Sequence, residues 1–105
     1  MVCHIENLAD FQAKLKEAGD KLVLIDFFAD WCGPCKQIAP KFEALSKQHT
    51  NVIFYKVNVE EAEDVATECQ ISAMPTFHFY KNGKKVTEVV GANVDQLEKN
   101  IKELQ

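Results

Sequence analysis

The sequence predicts an α/β domain over residues 1–105, with a central mixed sheet of about five strands flanked by four helices. Three observations lead to this prediction. Apolar runs typical of buried strands alternate with helical repeats through the first half of the chain, which favours parallel strands joined by right-handed crossovers. Asn82-Gly83 then separates two strand-like segments, which is a strong hairpin signal and adds an antiparallel edge. The length of 105 residues suits one domain with a substantial core.

The first half of the chain contains an edge strand, a helix, a buried strand and a second helix. Asn7 is placed to cap the first helix and Gly19 to end it. The second helix starts near Pro34. The predicted strands are Val2–Ile5 and Leu22–Phe28, and the apolar stripes of the helices are Leu8, Phe11, Leu15 and Ala18, then Ile38, Phe42 and Leu45.

The second half contains a strand, a helix, the hairpin and a last helix, which Asn93 is placed to cap. The predicted strands are Val52–Val59, Thr76–Lys81 and Lys85–Val90, and the helical stripes are Ala62, Val65, Ala66 and Cys69, then Val94, Leu97, Ile101 and Leu104.

Composition and charge argue against nucleic-acid and membrane partners. The net charge is −4, and all twelve basic residues are lysines, so no arginine is present to grip phosphate or guanine. The basic cluster of Lys81, Lys84 and Lys85 is interpreted as a solvated turn. No apolar run approaches the roughly 20 residues of a membrane span. The first residues resemble no signal peptide, so the expected compartment is the cytoplasm, where thiols are kept reduced.

The segment Trp31-Cys32-Gly33-Pro34-Cys35-Lys36 lies where a buried strand ends and a helix begins. Unpaired N–H groups and the positive end of the helix dipole would stabilise a thiolate at Cys32 and lower its pKa. Cys35 follows by about one helical turn, so the two sulfurs can meet. Gly33 leaves room for a substrate backbone, and Pro34 suits the first helical turn. Catalytic redox chemistry is therefore predicted for this pair.

Two other interpretations of the cysteine pair remain open. A structural zinc site needs four ligands, and the sequence has no second CxxC and no paired histidine spacing. No metal is therefore expected. A structural disulfide is disfavoured in a reducing compartment.

Asp26 interrupts the apolar strand that leads into the motif. A buried carboxyl without a partner has a raised pKa, which would make Asp26 a proton acceptor near neutral pH. The alternative is that the strand bends and Asp26 reaches water. Lys56 is its best partner, although the lysine stem can also extend to the surface. Met74-Pro75 precedes a strand, and the residues alone do not settle whether this proline marks a loop or a cis bond.

Taken together, Asp26, the Cys-Gly-Pro-Cys motif and Met74-Pro75-Thr76 make the chain resemble the thioredoxin family, most closely its animal cytosolic members. The resemblance spans nearly the whole chain and implies the thioredoxin fold. It also implies a mechanism in which Cys32 attacks a substrate disulfide, Cys35 resolves the mixed disulfide, and Asp26 assists proton transfer. Pro75 would be cis, and a flat apolar docking surface would comprise Trp31, Gly33, Pro34, Ala73, Met74, Gly91 and Ala92.

The resemblance also implies partners. The redox-active Cys32–Cys35 disulfide would be regenerated by a flavin-containing thioredoxin reductase that uses NADPH, so no cofactor bound to this chain is expected. Protein disulfides, such as those of peroxiredoxins and ribonucleotide reductase, would be the substrates, and the chain is expected to be a monomer. Vertebrate cytosolic members carry extra cysteines where this chain has Ala62 and Ala73, so a bridge through either position is excluded. Cys69, at the end of a helix, is interpreted as a small buried apolar residue, and its modification is the alternative. Cys3 stays ambiguous in the same way.

Two competing functions remain at this point. An oxidase or isomerase of the secretory pathway would resemble this fold but tends to carry His in place of Pro34. A binding role independent of redox state is also compatible with the sequence, because the docking surface and the reactive pair coincide.

Overall fold

The computed structural model describes residues 2–105. Five strands and four helices alternate in the predicted order, β-α-β-α-β-α-β-β-α. The strands are β1 (Val2–His4), β2 (Val23–Phe28), β3 (Ile53–Asn58), β4 (Thr76–Lys81) and β5 (Lys84–Val90). The helices are α1 (Leu8–Ala18), α2 (Gly33–Gln48), α3 (Glu63–Glu68) and α4 (Val94–Leu104). These bounds agree with the predicted elements to within one or two residues.

The five strands form one mixed sheet in the order β1-β3-β2-β4-β5. β3 pairs parallel with both β1 and β2, whereas β4 runs antiparallel to β2 and to β5. The predicted mixed sheet is therefore confirmed. β2, which leads into the cysteine motif, lies at the centre, so its residues are held from both sides.

Local sequence signals set the ends of several elements. The side-chain oxygen of Asn7 accepts a hydrogen bond from the Asp10 N–H at 2.8 Å, and Asn93 caps α4 in the same way. Gly19 ends α1 with a positive φ of 59°. Asn82 and Gly83 both have positive φ, as a tight two-residue hairpin turn requires.

The sheet separates two apolar layers, because successive residues of a strand point to opposite faces. One layer packs against α2 and α4, and its β2 members include Leu24. The other packs against α1 and α3, and its β2 members include Phe27. Asp26 follows Leu24 by two positions, so its carboxyl lies on the face that α2 covers. Along residues 2–105, no helix is both long and apolar enough to cross a membrane.

Candidate active site

Cys32 and Cys35 form a disulfide at the junction between β2 and α2. Cys32 has extended backbone angles and is the N-cap of α2, and Cys35 lies in its first turn. Their Cα atoms are 5.2 Å apart. Both residues are 4% exposed, so only a small part of the pair reaches solvent. The predicted meeting of the two sulfurs is confirmed.

The start of α2 places positive electrostatic potential on the Cys32 sulfur. The backbone N–H of Cys35 donates a hydrogen bond to Cys32 Sγ at 3.2 Å. The sulfur therefore takes the place that a side-chain oxygen holds in an ordinary N-cap. A charged acceptor strengthens such a bond, and the helix dipole favours a negative charge at the same point. Both effects stabilise a thiolate at Cys32 in the reduced protein.

Exposed residues surround the buried disulfide. Trp31 is 66% exposed, although it is a large apolar side chain, and Gly33 and Pro34 are also exposed. A Cβ added at Gly33 would meet no atom within 4 Å, so the space above it is open. The predicted room for a substrate backbone is thus present beside the disulfide.

The loop before β4 lies against the disulfide. Met74 packs against the cluster formed by Cys32 and Cys35, and the Met74–Pro75 peptide bond is cis, as the resemblance implied. Thr76 Oγ1 donates a hydrogen bond to the Ala73 carbonyl at 2.6 Å, which fixes the loop from within.

A backbone hydrogen bond ties this loop to the segment before α4. The N–H of Gly91 donates to the Pro75 carbonyl at 2.8 Å. Ala73 and Ala92 are exposed, whereas Met74 and Gly91 are half-buried. The loop thus brings residues from distant parts of the sequence together, as the predicted docking surface requires.

The carboxyl of Asp26 is enclosed on the α2 side of the sheet. Asp26 is 1% exposed, and its Oδ1 atom has no hydrogen-bond partner. The alternative in which the strand bends to expose Asp26 is therefore wrong. Burial raises the pKa of Asp26 to about 7, although the positive charge of Lys56 opposes this shift. A carboxyl with this pKa can take up or release a proton near neutral pH.

Lys56 is the register partner of Asp26 on β3, but the two side chains do not form the expected close pair. The described residues contain three ion pairs within 4.0 Å, and none of them joins Lys56 to Asp26. Lys56 Nζ lies instead 5.1 Å from the centroid of the Phe28 ring. The prediction that Lys56 pairs directly with Asp26 is therefore wrong. Lys56 acts on Asp26 only through its charge at longer range, because the Phe28 ring competes for the ammonium group.

The other two cysteines lie outside the disulfide. Cys3 is exposed on the edge strand β1, and Cys69 is half-buried at the end of α3. Cys69 Sγ lies 3.5 Å from Tyr80 Oη, and burial raises the pKa of the Cys69 thiol. The prediction of a small apolar role for Cys69 therefore omits this polar contact. Within residues 2–105, no group of three or more His, Cys, Asp or Glu side chains is placed to hold a metal ion.

Sequence reasoning missed two features of this region. The sequence pattern marks Phe28 only as an apolar residue of β2, whereas its ring holds the Lys56 ammonium. The sequence places His78 only among the possible zinc ligands, but the residue is 2% exposed on β4, and its Nδ1 lies 3.5 Å from Tyr80 Oη. Both faces of β4 are buried, so His78 is enclosed although it alternates with Phe77 and Phe79 along the strand.

The disulfide joins residues three apart, and one of its sulfurs accepts a hydrogen bond from a helical N–H. Such a pair can be reduced and reoxidised reversibly. This site places the chain among the dithiol–disulfide oxidoreductases. The Thioredoxin family model matches residues 2–103. The chain therefore belongs to the thioredoxin family. With the disulfide at the active-site position, this membership makes the protein a protein-disulfide reductase.

Individual relatives agree with this assignment. The chain is 56% identical to the thioredoxin of Gallus gallus and 54% identical to that of Homo sapiens, with 99% of each chain covered in both cases. Among solved structures, Fasciola hepatica thioredoxin matches with a TM-score of 0.96 and 42% identity, over 97% of this chain and 98% of that one. A structure concerning thiol resolution in yeast mitochondrial 1-Cys peroxiredoxin matches with a TM-score of 0.92 and 39% identity, over 98% of this chain and 95% of that one.

Proposed function

We propose that the protein reduces disulfides of other proteins in the cytoplasm through a mixed disulfide on Cys32. The hydrogen bond from the Cys35 N–H to Cys32 Sγ carries this proposal, because it identifies which sulfur is stabilised as the nucleophile. The Cys32 thiolate attacks one sulfur of the substrate disulfide. The substrate S–S bond breaks, a Cys32–substrate disulfide forms, and the other substrate sulfur leaves as a thiolate that takes up a proton.

The second step releases the substrate. Cys35 loses its proton and attacks the Cys32 sulfur, so the mixed disulfide breaks and the Cys32–Cys35 disulfide forms. Asp26 is the proton acceptor for Cys35 in this step, since its raised pKa of about 7 suits proton exchange at neutral pH. The second substrate sulfur leaves as a thiolate when the mixed disulfide breaks. The two sulfurs of this chain supply both electrons; one proton comes from Cys35 through Asp26, and the other comes from solvent, because Cys32 reacts as a thiolate.

Substrates dock on the apolar surface around the disulfide. Its members come from three segments of the chain that the cis-proline loop and the Gly91–Pro75 hydrogen bond bring together. Exposed apolar area of this kind on a small protein is typical of an interaction site. The proposed surface comprises Trp31, Gly33, Pro34, Ala73, Met74, Gly91 and Ala92.

The oxidised chain returns to the dithiol through thioredoxin reductase, with electrons from NADPH, and this chain binds no cofactor of its own. Peroxiredoxins and ribonucleotide reductase are the proposed targets. The similarity to the structure concerning yeast peroxiredoxin supports the first of these. Pro34 supports a reductase over a secretory oxidase or isomerase, because those modules tend to carry histidine there.

Trapping of the intermediate tests the proposed function. The reduced Cys35→Ser variant is mixed with insulin whose disulfides are intact, and the products are analysed by non-reducing electrophoresis and mass spectrometry. We expect a stable insulin adduct on Cys32, because the resolving thiol is missing. The matched Cys32→Ser variant should give no adduct on Cys35, because the Cys35 sulfur lacks the helical N–H contact that stabilises a thiolate at Cys32. Adducts that form equally on both variants would contradict the assigned order of attack.

A further inference from the structure

Lys56 lies between two competing neighbours on the α2 side of the sheet. Asp26 and Phe28 are two residues apart on β2, so both side chains point to the same face. Lys56 is paired in register with Asp26 on the adjacent parallel strand, so its side chain points to that face as well. The ammonium group therefore has a carboxyl on one side and an aromatic ring on the other.

The structure places the ammonium on the ring. Lys56 Nζ is 5.1 Å from the Phe28 centroid, within the range of a cation–π interaction. The ring is also supported from β1, where His4 packs edge-on at a centroid distance of 5.9 Å. On the other side, Asp26 Oδ1 has no hydrogen-bond partner, so the carboxyl has capacity for a donor that it does not receive.

A cavity of about 150 Å³ lies beside Lys56 and Phe28. Phe28, Cys35 and Lys56 all line this cavity, which also contacts the charged residues Asp30 and Lys36. Lys56 is the charged residue that perturbs the Asp26 carboxyl, and it lowers a pKa that burial has raised. On β4, the strand that flanks β2 on its other edge, the residue paired with Asp26 is the uncharged Phe77.

We propose that Phe28 is a positioning residue that holds the Lys56 ammonium on its ring and away from the Asp26 carboxyl, so that the two groups do not form an ion pair. The inference rests on the proton-transfer role proposed above for Asp26. An ammonium in contact with a carboxylate stabilises the ionised form and lowers its pKa by about one to three units. Asp26 would then be a weaker acceptor for the proton that Cys35 must lose.

The test is a titration of the Asp26 carboxyl by ¹³C NMR in the full-length oxidised protein, where Cys32 and Cys35 do not ionise. We compare the wild type with Phe28→Leu, which removes the aromatic face, and with Phe28→Tyr, which keeps it. We expect the Phe28→Leu variant to titrate about one unit or more below the wild type. The Phe28→Tyr variant should stay within about 0.3 units of the wild type, because its ring still attracts the cation.

A double-mutant cycle separates the effect of the cation from a change in burial. In the Lys56→Gln background, Phe28→Leu should leave the Asp26 titration unchanged, since no ammonium is there to be released. An equal downward shift in both backgrounds, or no shift in the Lys56-containing protein, overturns the proposal. Should Phe28→Leu fail to fold, Phe28→Met serves as the second variant without a ring.

A separate readout follows the lysine itself. In the wild type, the Lys56 Cε protons should be shifted upfield by the Phe28 ring current, and Phe28→Leu should abolish this shift. Normal Cε shifts in the wild type would contradict the ring contact. The titration needs no substrate or turnover, so its result stands independently of the proposed function. That function is tested by the insulin adduct and by the activity of Asp26→Asn.

Discussion

The sulfur of Cys32 accepts a hydrogen bond from the backbone N–H of Cys35 at 3.2 Å, which makes the two active-site residues unequal before any substrate arrives. One sulfur lies at the positive end of α2, and the other lies within the first helical turn. This asymmetry is the structural basis for assigning Cys32 as the nucleophile and Cys35 as the resolving thiol.

The first prediction concerns alkylation of the reduced protein. Iodoacetamide should modify Cys32 before Cys35, with a pH midpoint below the value of about 8.5 for a free cysteine. The helix dipole and the Cys35 N–H stabilise the thiolate and cause this shift. Peptide mass spectrometry over a pH series measures it, with exposed Cys3 as the internal control. Modification of Cys35 first would contradict the assignment.

The second prediction concerns Asp26 and stability. Its folded pKa of about 7 lies above the unfolded value of about 3.8, so the folded state binds more protons between these values. Stability contributed by the neutral carboxyl is therefore present at low pH and lost as pH rises toward 7. The free energy of unfolding of Asp26→Asn minus that of the wild type should be about 2 to 4 kcal/mol larger at pH 8 than at pH 4.

Urea unfolding of the oxidised wild type and of Asp26→Asn measures this effect. The difference between the two proteins at each pH isolates Asp26, because other titrating groups are common to both. The same variant should lose reductase activity, because asparagine accepts no proton from Cys35. A difference in stability that does not vary between pH 4 and pH 8 would show that the carboxyl is not buried as described.

The third prediction concerns His78, which is 2% exposed and contacts Tyr80 and Phe27. Burial lowers its pKa from 6.5 to about 4. Because the folded pKa is below the unfolded one, the stability from neutral His78 is complete above pH 6.5 and is lost as pH falls toward 4. The free energy of unfolding of the wild type minus that of His78→Gln should therefore fall by about 1 to 3 kcal/mol between pH 7 and pH 4, because the Asp26 contribution is common to both proteins.

Guanidinium unfolding between pH 7 and pH 4 measures the slope for both proteins. His49, which lies outside this cluster at the end of α2, offers a matched control through His49→Gln. Equal slopes for the wild type and His78→Gln would contradict the account of this buried group.

The fourth prediction concerns Trp31, whose side chain is 66% exposed and is assigned to substrate docking. Trp31→Ala should change the free energy of unfolding by no more than about 0.5 kcal/mol. It should lower kcat/KM for insulin about 5- to 30-fold, as the loss of an aromatic interface residue often does. A small aromatic disulfide needs little docking area, so kcat/KM for its reduction should change by less than about twofold. Equal losses for both substrates would place Trp31 in the disulfide chemistry itself.

Local signals in the sequence predicted much of this structure. The caps at Asn7 and Asn93 and the turn at Asn82-Gly83 depend on neighbouring backbone groups, so short patterns are sufficient to identify them. The cysteine motif falls between a continuous apolar strand and a helical repeat, and this position alone predicts its electrostatics.

The features that the sequence did not reveal depend on tertiary contacts. Periodicity does not state which strands are neighbours, so the order β1-β3-β2-β4-β5 had no local signal. The isomer of Met74–Pro75 is set by its surroundings in the fold and not by the dipeptide. The placement of Lys56 on Phe28, away from Asp26, depends on the register between β2 and β3. The family resemblance supplied the cis bond, but nothing in the motif supplied the lysine contact.

The equilibrium reduction potential of the Cys32–Cys35 pair tests the central claim most directly. The oxidised and reduced forms are titrated in dithiothreitol or glutathione buffers and quantified by thiol alkylation. A protein-disulfide reductase of this family should give a value near the roughly −270 mV typical of thioredoxins. A value of about −180 mV or higher is typical of disulfide isomerases and oxidases, and it would contradict the assignment of this chain as a reductant.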